Sequence, residues 1–357
     1  MWPNRRLLDL FGIEHPIVQA PMATASDVEI AVAVARAGGL GSLPAGTIDP
    51  EKLREHLSAF RASAPGKPVN VNFFTHRIPT PNNAREAAWR EALKPYYAEY
   101  GIDPSAPVAT ANRAPFNAAH CEVVEALKPE VVSFHYGLPA LDLLARVKAA
   151  QCRVMCSATT VAEAKHLFQG GCDAIIAQGN EAGGHRGMFL TDDLAAQQGT
   201  FALIPQVADA VSVPVIAAGG IGDARGIAAA LVLGAAGVQI GTAYLHCPEA
   251  RVSKSHRDLL RSAGEHPTVV TNVMTGRPAR GFINRVMREL GPISAIAPEF
   301  PLAAAALAPL AAETKDTGEF APLWAGEAVS LGIELPASEL TRKLAHDAQA
   351  LLHRMAG

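Results

Sequence analysis

The sequence predicts an α/β protein built on a TIM-type (β/α)8 barrel, followed by a second, smaller and mainly helical domain. Two observations predict the barrel. Eight short apolar runs recur between residues 16 and 244, and the stretches between them place apolar residues three and four positions apart. Eight strands alternating with helices are typical of a parallel barrel. A doubly wound open sheet shows the same alternation and is the competing fold.

The predicted strands are rich in β-branched and aromatic residues and lie close to turn signals. Helix-like stretches such as "SDVEIAVAVARAGG" and "TVAEAKHLFQGG" end on glycine, as a helix C-cap requires. The strands are predicted at residues 16–20, 40–43, 69–74, 131–136, 153–158, 174–179, 213–220 and 237–244.

The domain organisation follows from where this alternation is interrupted. Residues 75–130 form a long link that begins with "THRIPTPNN", and we expect one or two helices there, bordering the catalytic face. After residue 245 the strand pattern stops. The predicted domains are therefore a barrel at 1–245, a helical and loop domain over the barrel mouth at 246–335, and a helix at 336–357 that packs back on the barrel.

Composition excludes several classes of protein. Hydrophobic residues make up 49% and charged residues 18% of the chain, which is enough apolar material for a large core. The net charge is -3 and no Lys/Arg run exceeds two residues, so neither nucleic acid nor an anionic membrane is an expected partner. Five cysteines in or beside apolar segments suit a reducing compartment better than disulfides, and their spacing matches no zinc site.

Neither the N-terminus nor the longest uncharged stretch predicts a membrane or secretory protein. "MWPNRRLLDLFGIEHP" lacks the apolar core and cleavage site of a secretory signal. Residues 226–245 are uncharged, but Gly234 and Gly237 divide them into a helix-like half and a strand-like half. We therefore expect a cytoplasmic protein with no membrane segment.

The stretch "AQGNEAGGHRG" at residues 177–187 carries the strongest sign of chemistry. Gln178 ends the sixth strand, so the following glycines and His185 lie on the face of a barrel where active sites form. A histidine there can accept a proton or donate a hydrogen bond to an anion. The alternative is an ordinary surface histidine in a flexible turn. His135 ends the fourth strand in the same way, and a pocket-lining or hydrogen-bonding role is expected for it.

Two later loops have the composition of a phosphate site. "AAGGIGD" at residues 217–223 frees backbone amides beside a helix N-terminus, and Gly241 and Thr242 follow the eighth strand. The loops after strands seven and eight commonly bind phosphate in barrels. No Walker lysine and no Rossmann acidic residue follow the glycines, so neither a nucleoside triphosphate nor NAD is favoured.

The rest of a ligand bound by its phosphate at these loops would extend across the barrel towards strands one, three and six. Met22 offers a thioether to a ring face, and Asn72 and Gln178 offer donors and acceptors to the edge of a heterocycle. An isoalloxazine ring fits this description. The alternative for each residue is a polar group at a strand end that bonds to the local backbone.

Taken in order, the motifs "QAPMA", "AGGLGSL", "VNFF", "SFHYGLP", "QGNEAGGHRG", "AAGGIGD" and "GVQIGTAY" resemble the nitronate monooxygenase family, formerly called 2-nitropropane dioxygenases. "TGRPARG" (275–281) and "LWAGEA" (323–328) extend the likeness into the C-terminal part. One departure is "MATAS" at 22–26, where relatives often have a glycine pair.

The resemblance implies an FMN-dependent monooxygenase that converts alkyl nitronates, such as propionate 3-nitronate, with O2 into a carbonyl compound and nitrite. Our hypothesis routes this oxidation through a flavin semiquinone, in the service of nitroalkane detoxification. His185 would be catalytic, and His135 would line the substrate pocket. The residues implied to contact FMN are Met22, Asn72, Gln178, Gly183, Gly220, Gln239, Ile240, Gly241 and Thr242.

Three other functions stay open on the sequence. On the same fold, an FMN-dependent NAD(P)H:quinone or enoyl reductase is the first alternative. A flavin-free barrel lyase or isomerase could use the phosphate loops to hold a sugar phosphate. A non-enzymatic phosphate-ligand binding protein is the third. The expected partners are a small nitronate and O2, and a homodimer is left open.

Overall fold

A computed structural model of the protein describes residues 2–103, 113–262, 264 and 266–356. Eight of its strands form one sheet, in the order β1-β9-β8-β6-β5-β4-β3-β2, and all neighbouring strands are parallel. The strands are β1 Ile17–Gln19, β2 Gly41–Pro44, β3 Val69–Phe74, β4 Val131–His135, β5 Arg153–Ala158, β6 Ala174–Gln178, β7 Gly184–His185, β8 Val215–Ala218, β9 Gly237–Ile240, β10 Thr268–Thr271 and β11 Ala279–Phe282.

Helices separate the strands of the barrel and make up most of the C-terminal part. They are α1 Arg6–Phe11, α2 Val28–Arg36, α3 Pro50–Ser63, α4 Asn83–Glu99, α5 Ala118–Leu127, α6 Leu141–Ala149, α7 Val161–Gln169, α8 Thr200–Ala210, α9 Ala224–Val232, α10 Thr242–Leu245, α11 Lys254–Arg261, α12 Arg285–Leu290, α13 Ala303–Glu313 and α14 Ala337–Ala356. Two 3₁₀ turns lie at Leu194–Ala196 and Glu327–Leu331.

The sheet closes on itself, which confirms the predicted barrel over the open doubly wound sheet. One edge of β1 pairs with β9. Its other edge bonds to the residue that precedes β2: the amide of Gln19 donates to the Leu40 carbonyl, and the amide of Leu40 donates to the Ile17 carbonyl, both at 2.9 Å. The carboxyl ends of all eight strands therefore meet at one mouth.

The barrel strands are mostly apolar because side chains on both of their faces are buried, as parallel sheets covered by helices require. Val132, Phe134 and Val154 are among the fully buried residues in one of the two large barrel cores. The helices begin where capping groups are available: Asp49 accepts from the amide of Lys52 just before Pro50 opens α3. The capping residues and the buried apolar residues thus favour the same helices and strands.

The last predicted strand is shorter than expected. β9 stops at Ile240, whereas the prediction extended to residue 244. The cause is the short helix α10, which begins at Thr242 and turns the chain towards the C-terminal part. The link at 75–130 carries two helices, α4 and α5, among its described residues.

The C-terminal part contains a small sheet that sequence analysis does not anticipate. Strands β10 and β11 are antiparallel, and β11 also pairs with β7, which places Ala279 beside His185. Helix α4 packs against α13 next to this sheet, and Trp89 donates its indole N–H to the Ala303 carbonyl at 3.2 Å. The small sheet and these helices cover the barrel mouth beside the histidine loop.

Helix α14 returns to the barrel and packs against α2 and α9. Its residues Leu340 and Leu344 join the barrel core, and the hydroxyls of Tyr244 and Thr341 are 2.8 Å apart. Of the helices in the described part, none combines the length and apolar character needed to cross a membrane.

Candidate active site

A cavity of about 410 Å³ opens at the carboxyl ends of the barrel strands. The predicted site residues converge there. Ten of the eleven sequence-predicted residues line it: Met22, Asn72, His135, Gln178, Gly183, His185, Gly220, Gln239, Gly241 and Thr242.

Ile240 is the exception. It does not line the cavity, and its side chain is buried in a barrel core. Successive residues of a strand point to opposite faces, so Gln239 and Ile240 cannot both project into the barrel interior. The assignment of Ile240 to the FMN contacts stays a prediction, and its side chain lies on the other face of the strand from that of Gln239.

His185 is fixed in place by β-pairing and not by a free loop. Gly184 has a φ of 73°, which a residue with a side chain rarely adopts, and it lets the chain reverse into β7. β7 then pairs with β11 in the C-terminal sheet. The imidazole packs edge-on against Phe300 and Trp324, with ring centroids 5.2 and 5.3 Å away. The histidine is thus held rigidly at one end of the cavity.

One ring nitrogen of His185 is bonded and the other is available. Its Nε2 lies 2.9 Å from the hydroxyl oxygen of Thr275. No hydrogen bond within the described part of the chain uses Nδ1, although the residue lines the cavity. Nδ1 is therefore the atom that can act on a ligand.

The environment keeps the His185 ring uncharged. Burial lowers its pKa well below the usual 6.5, and the positive charge of Arg113 lowers that pKa further. A hydroxyl can either donate to Nε2 or accept from it, so Thr275 supports both tautomers of a neutral ring.

His135 lies behind the histidine loop and is fully bonded. Its Nε2 donates to the carbonyl of His185 at 3.1 Å, and its Nδ1 accepts from the Ser157 hydroxyl at 3.0 Å. Burial lowers the pKa of His135 to about 3, so the ring is neutral. The side chain reaches the cavity wall, and both of its nitrogens serve to hold the loop.

The other polar residues of "AQGNEAGGHRG" also hold the loop. Gln178 donates to the His185 carbonyl at 2.9 Å and accepts from the amide of Gly187 at 2.7 Å. Arg186 is fully buried and donates to the carbonyls of Gln178 and Gly179. His185 differs from them, because it lines the cavity and its Nδ1 takes part in no hydrogen bond within the described residues.

Glu181, in the same stretch, anchors the loop to the next helix. Its carboxylate accepts from the amide and the hydroxyl of Thr200, the first residue of α8, each at 2.7 Å. A carboxylate at a helix N-terminus is stabilised by the unpaired amides and by the helix dipole.

The opposite end of the cavity offers backbone amides. Gly219 and Gly220 have φ values of 109° and 68°, and neither the amide of Gly220 nor that of Ile221 donates a hydrogen bond within the described residues. Gly241 precedes α10, and no side chain caps that helix. Asp223, in contrast, caps α9, so the dipole of that helix is already used by the protein. The free amides are thus in the turn and not in α9.

Polar and sulfur groups line the space between the two ends. Asn72 donates to the Ser133 hydroxyl at 2.9 Å, which fixes the orientation of its amide. Met22 begins a turn held by Ser26, whose hydroxyl accepts from the Met22 amide at 3.0 Å. Thr24 in this turn has a φ of 67°, at the place where the family often has glycine.

Several residues at the histidine end were not identified from the sequence. Arg113, Phe74, Ser157 and Trp324 line the cavity, and Thr275 bonds to His185. Trp324 and Thr275 belong to the C-terminal motifs "LWAGEA" and "TGRPARG", which were a usable signal. Arg113 lies in the link that no motif covers.

Comparison with known proteins shows the family to which this chain is similar. A family model described as nitronate monooxygenase matches residues 4–347. A curated nitronate monooxygenase of Paraburkholderia phytofirmans is 40% identical over 357 residues, covering 99% of this chain and 97% of its own length. Another, of Pseudomonas aeruginosa, is 41% identical over 348 residues, covering 96% of this chain and 98% of its own.

A solved structure is also similar throughout. It is described as nitroalkane oxidase from Streptomyces ansochromogenes, and it superposes with a TM-score of 0.87 at 35% identity. The alignment covers 99% of this chain and 100% of the other. The family match spans both the barrel and the C-terminal part, so the predicted resemblance is confirmed. The chain therefore belongs to the nitronate monooxygenase family, a family of flavin-dependent oxidoreductases.

Proposed function

We propose that the cavity binds FMN and that the protein oxidises alkyl nitronates, such as propionate 3-nitronate, with O2 to a carbonyl compound and nitrite. The observation that carries the proposal is the unbonded Nδ1 of His185, which faces a cavity with free backbone amides at its other end. The Streptomyces relative is described as a nitroalkane oxidase, which supports the same substrate chemistry.

The phosphate end of FMN fits the amide-lined end of the cavity. The amides of Gly220 and Ile221, with those at the uncapped start of α10, would donate to the phosphate oxygens. Gln239 lines the cavity nearby, and its buried Oε1 has no partner within the described residues. A cofactor N–H or O–H that donates to this oxygen would remove the free-energy cost of leaving a buried acceptor unpaired.

The ring of FMN fits the middle of the cavity. Met22 would contact its face, and the oriented amide of Asn72 would bond to its edge. Gly183, Gly241 and Thr242 would line the remainder of its path. Gln178 would act through the His185 loop, because both ends of its amide bond to that loop.

The chemistry that FMN supplies when bound is oxidation of the nitronate, one electron at a time, before oxygen completes the reaction. The protein's own task is to place the nitronate beside His185 and to exclude water. With an anion bound, the ring favours the tautomer in which Thr275 donates to Nε2 and Nδ1–H donates to a nitronate oxygen. With a neutral nitroalkane, the other tautomer leaves Nδ1 free to remove the α-proton.

An anaerobic reduction experiment tests this function. Propionate 3-nitronate alone, added to the purified protein without oxygen, is expected to bleach the visible absorption of the flavin. Rapid bleaching by NADH, with none by the nitronate, would instead support the NAD(P)H-dependent reductase. A colourless protein that cannot be reconstituted with FMN would favour a flavin-free barrel enzyme.

A further inference from the structure

Arg113 brings a positive charge to the histidine end of the cavity. Its guanidinium lines the cavity and lies 5.5 Å from the centroid of the Phe300 ring. The His185 ring lies 5.2 Å from the same Phe300 ring. Arg113 and His185 therefore flank one aromatic side chain, and a small ligand at that end would meet both.

No carboxylate of the described residues forms an ion pair with this charge. None of the ion pairs among the described residues includes Arg113, and burial lowers the pKa of its guanidinium. The segment at 104–112, which precedes it, reads "PSAPVATAN" and contains no acidic residue. An unpaired cation in a partly buried position is unfavourable until an anion binds to it.

Among the residues that the structure describes, no other cationic side chain both lines the cavity near His185 and lacks an ion pair. The His185 ring is itself neutral for the reasons given above. The guanidinium of Arg277 lies 4.0 Å over the Tyr136 ring, donates to the Met188 carbonyl and does not line the cavity. Arg251 lines the cavity but forms an ion pair with Asp27.

We propose that Arg113 binds the anionic oxygens of the substrate and so makes the enzyme select the nitronate anion over the neutral nitroalkane. The planar O–N–O group of a nitronate has the shape that the guanidinium fork binds with two parallel hydrogen bonds. The inference rests on the proposed function for the identity of the substrate. It assigns to Arg113 the charge stabilisation that a protonated His185 would otherwise have to provide.

The test compares anionic and neutral ligands in wild type and Arg113→Gln. Isothermal titration calorimetry measures the Kd of nitrate, which has a planar O–N–O group, and of freshly dissolved nitroethane at pH 6. Steady-state kinetics measures the KM of propyl nitronate. Arg36→Gln is the matched control, because it removes one exposed positive charge from the end of α2, at the other end of the barrel.

The expected loss in Arg113→Gln is about 10- to 100-fold in the nitrate Kd and in the nitronate KM, the range for one charged hydrogen-bonded contact. The nitroethane Kd should change less than about twofold, and Arg36→Gln should match wild type. Arg113→Met, which keeps an apolar stem over Phe300, replaces the glutamine variant if that variant does not fold.

A nitrate Kd that is unchanged in the charge-removing variant would overturn the proposal, as would a wild type that binds no nitrate. Equal weakening of nitrate and nitroethane would also overturn it, because that result indicates general damage to the pocket. If the wild type oxidises no nitronate, the proposed function fails, while the nitrate titrations still decide the role of Arg113.

Discussion

Replacing Thr275 with valine tests whether the orientation of His185 matters. Valine has nearly the same shape as threonine but lacks the hydroxyl, which lies 2.9 Å from His185 Nε2. Thr275 is only 1% exposed, so water cannot easily replace the lost partner. The substitution therefore leaves a buried ring nitrogen unpaired without changing the packing.

The size of the effect follows from that unpaired nitrogen. Leaving one buried polar group without a partner costs about 1–3 kcal/mol. We expect the free energy of unfolding to fall by about that amount, as measured in urea. If the same free energy is lost from transition-state binding because the imidazole is no longer held in its orientation, kcat/KM for propionate 3-nitronate falls about 5- to 150-fold.

Thr275→Ser is the control, because it keeps the hydroxyl and removes one methyl group. Oxygen consumption and urea unfolding are measured for both variants, and bound FMN is measured by absorbance. The serine variant is expected to keep kcat/KM within about threefold of wild type, since its hydroxyl still bonds Nε2. Equal kcat/KM values for the valine and serine variants would refute the role of this hydrogen bond.

Four further predictions concern the same cavity. His185→Asn is expected to lower kcat on nitronates at least about 100-fold while FMN stays bound; normal turnover would remove the catalytic assignment. The pKa of His185 lies below its usual 6.5 in the folded protein, so in acid the unfolded chain binds a proton there that the folded protein does not. The free energy of unfolding should therefore fall as the pH drops below about 6.5. Urea unfolding from pH 8 to 5 measures this change, and a free energy that rises over that range would contradict it. Gly183→Ala should lower both the Tm and the FMN content, because its Cβ would lie 2.6 Å from the Ala325 carbonyl carbon and the Gly326 nitrogen; an unchanged Tm would contradict the packing. Gln239→Leu should weaken FMN binding about tenfold in fluorescence titrations without destabilising the apoprotein, since the leucine removes an unpaired buried acceptor; loss of apoprotein stability would point to a structural role.

The barrel was predictable because its strands are largely buried on both faces and are therefore rich in apolar residues. The predicted strands at 69–74 and 153–158 agree with β3 and β5 at both ends. The eighth strand was predicted too long, since "GTAY" contains β-favouring residues and nothing local marks the start of α10. Strands β10 and β11 were missed although they pair with each other, and the additional pairing of β11 with β7 joins residues nearly 100 positions apart, which no local pattern shows.

The cavity-lining residues were predictable where glycine and polar residues directly follow a strand. They were not predictable where a contact with a distant part of the chain brings a residue to the cavity. Gln178 and His185 lie where the barrel rule puts them. The two-residue period of a strand places the side chains of Gln239 and Ile240 on opposite faces, which can be seen from the sequence alone. The approach of Arg113 leaves no local signal, because it meets Phe300, which is far away in the chain.

A crystal structure of the protein grown with FMN tests the central claim most directly. It should place the phosphate within hydrogen-bonding distance of the amides of Gly220, Ile221 and Thr242, and the flavin ring in the part of the cavity faced by His185 Nδ1. A flavin whose phosphate binds at Arg251, or whose ring lies outside the reach of His185, would contradict the account.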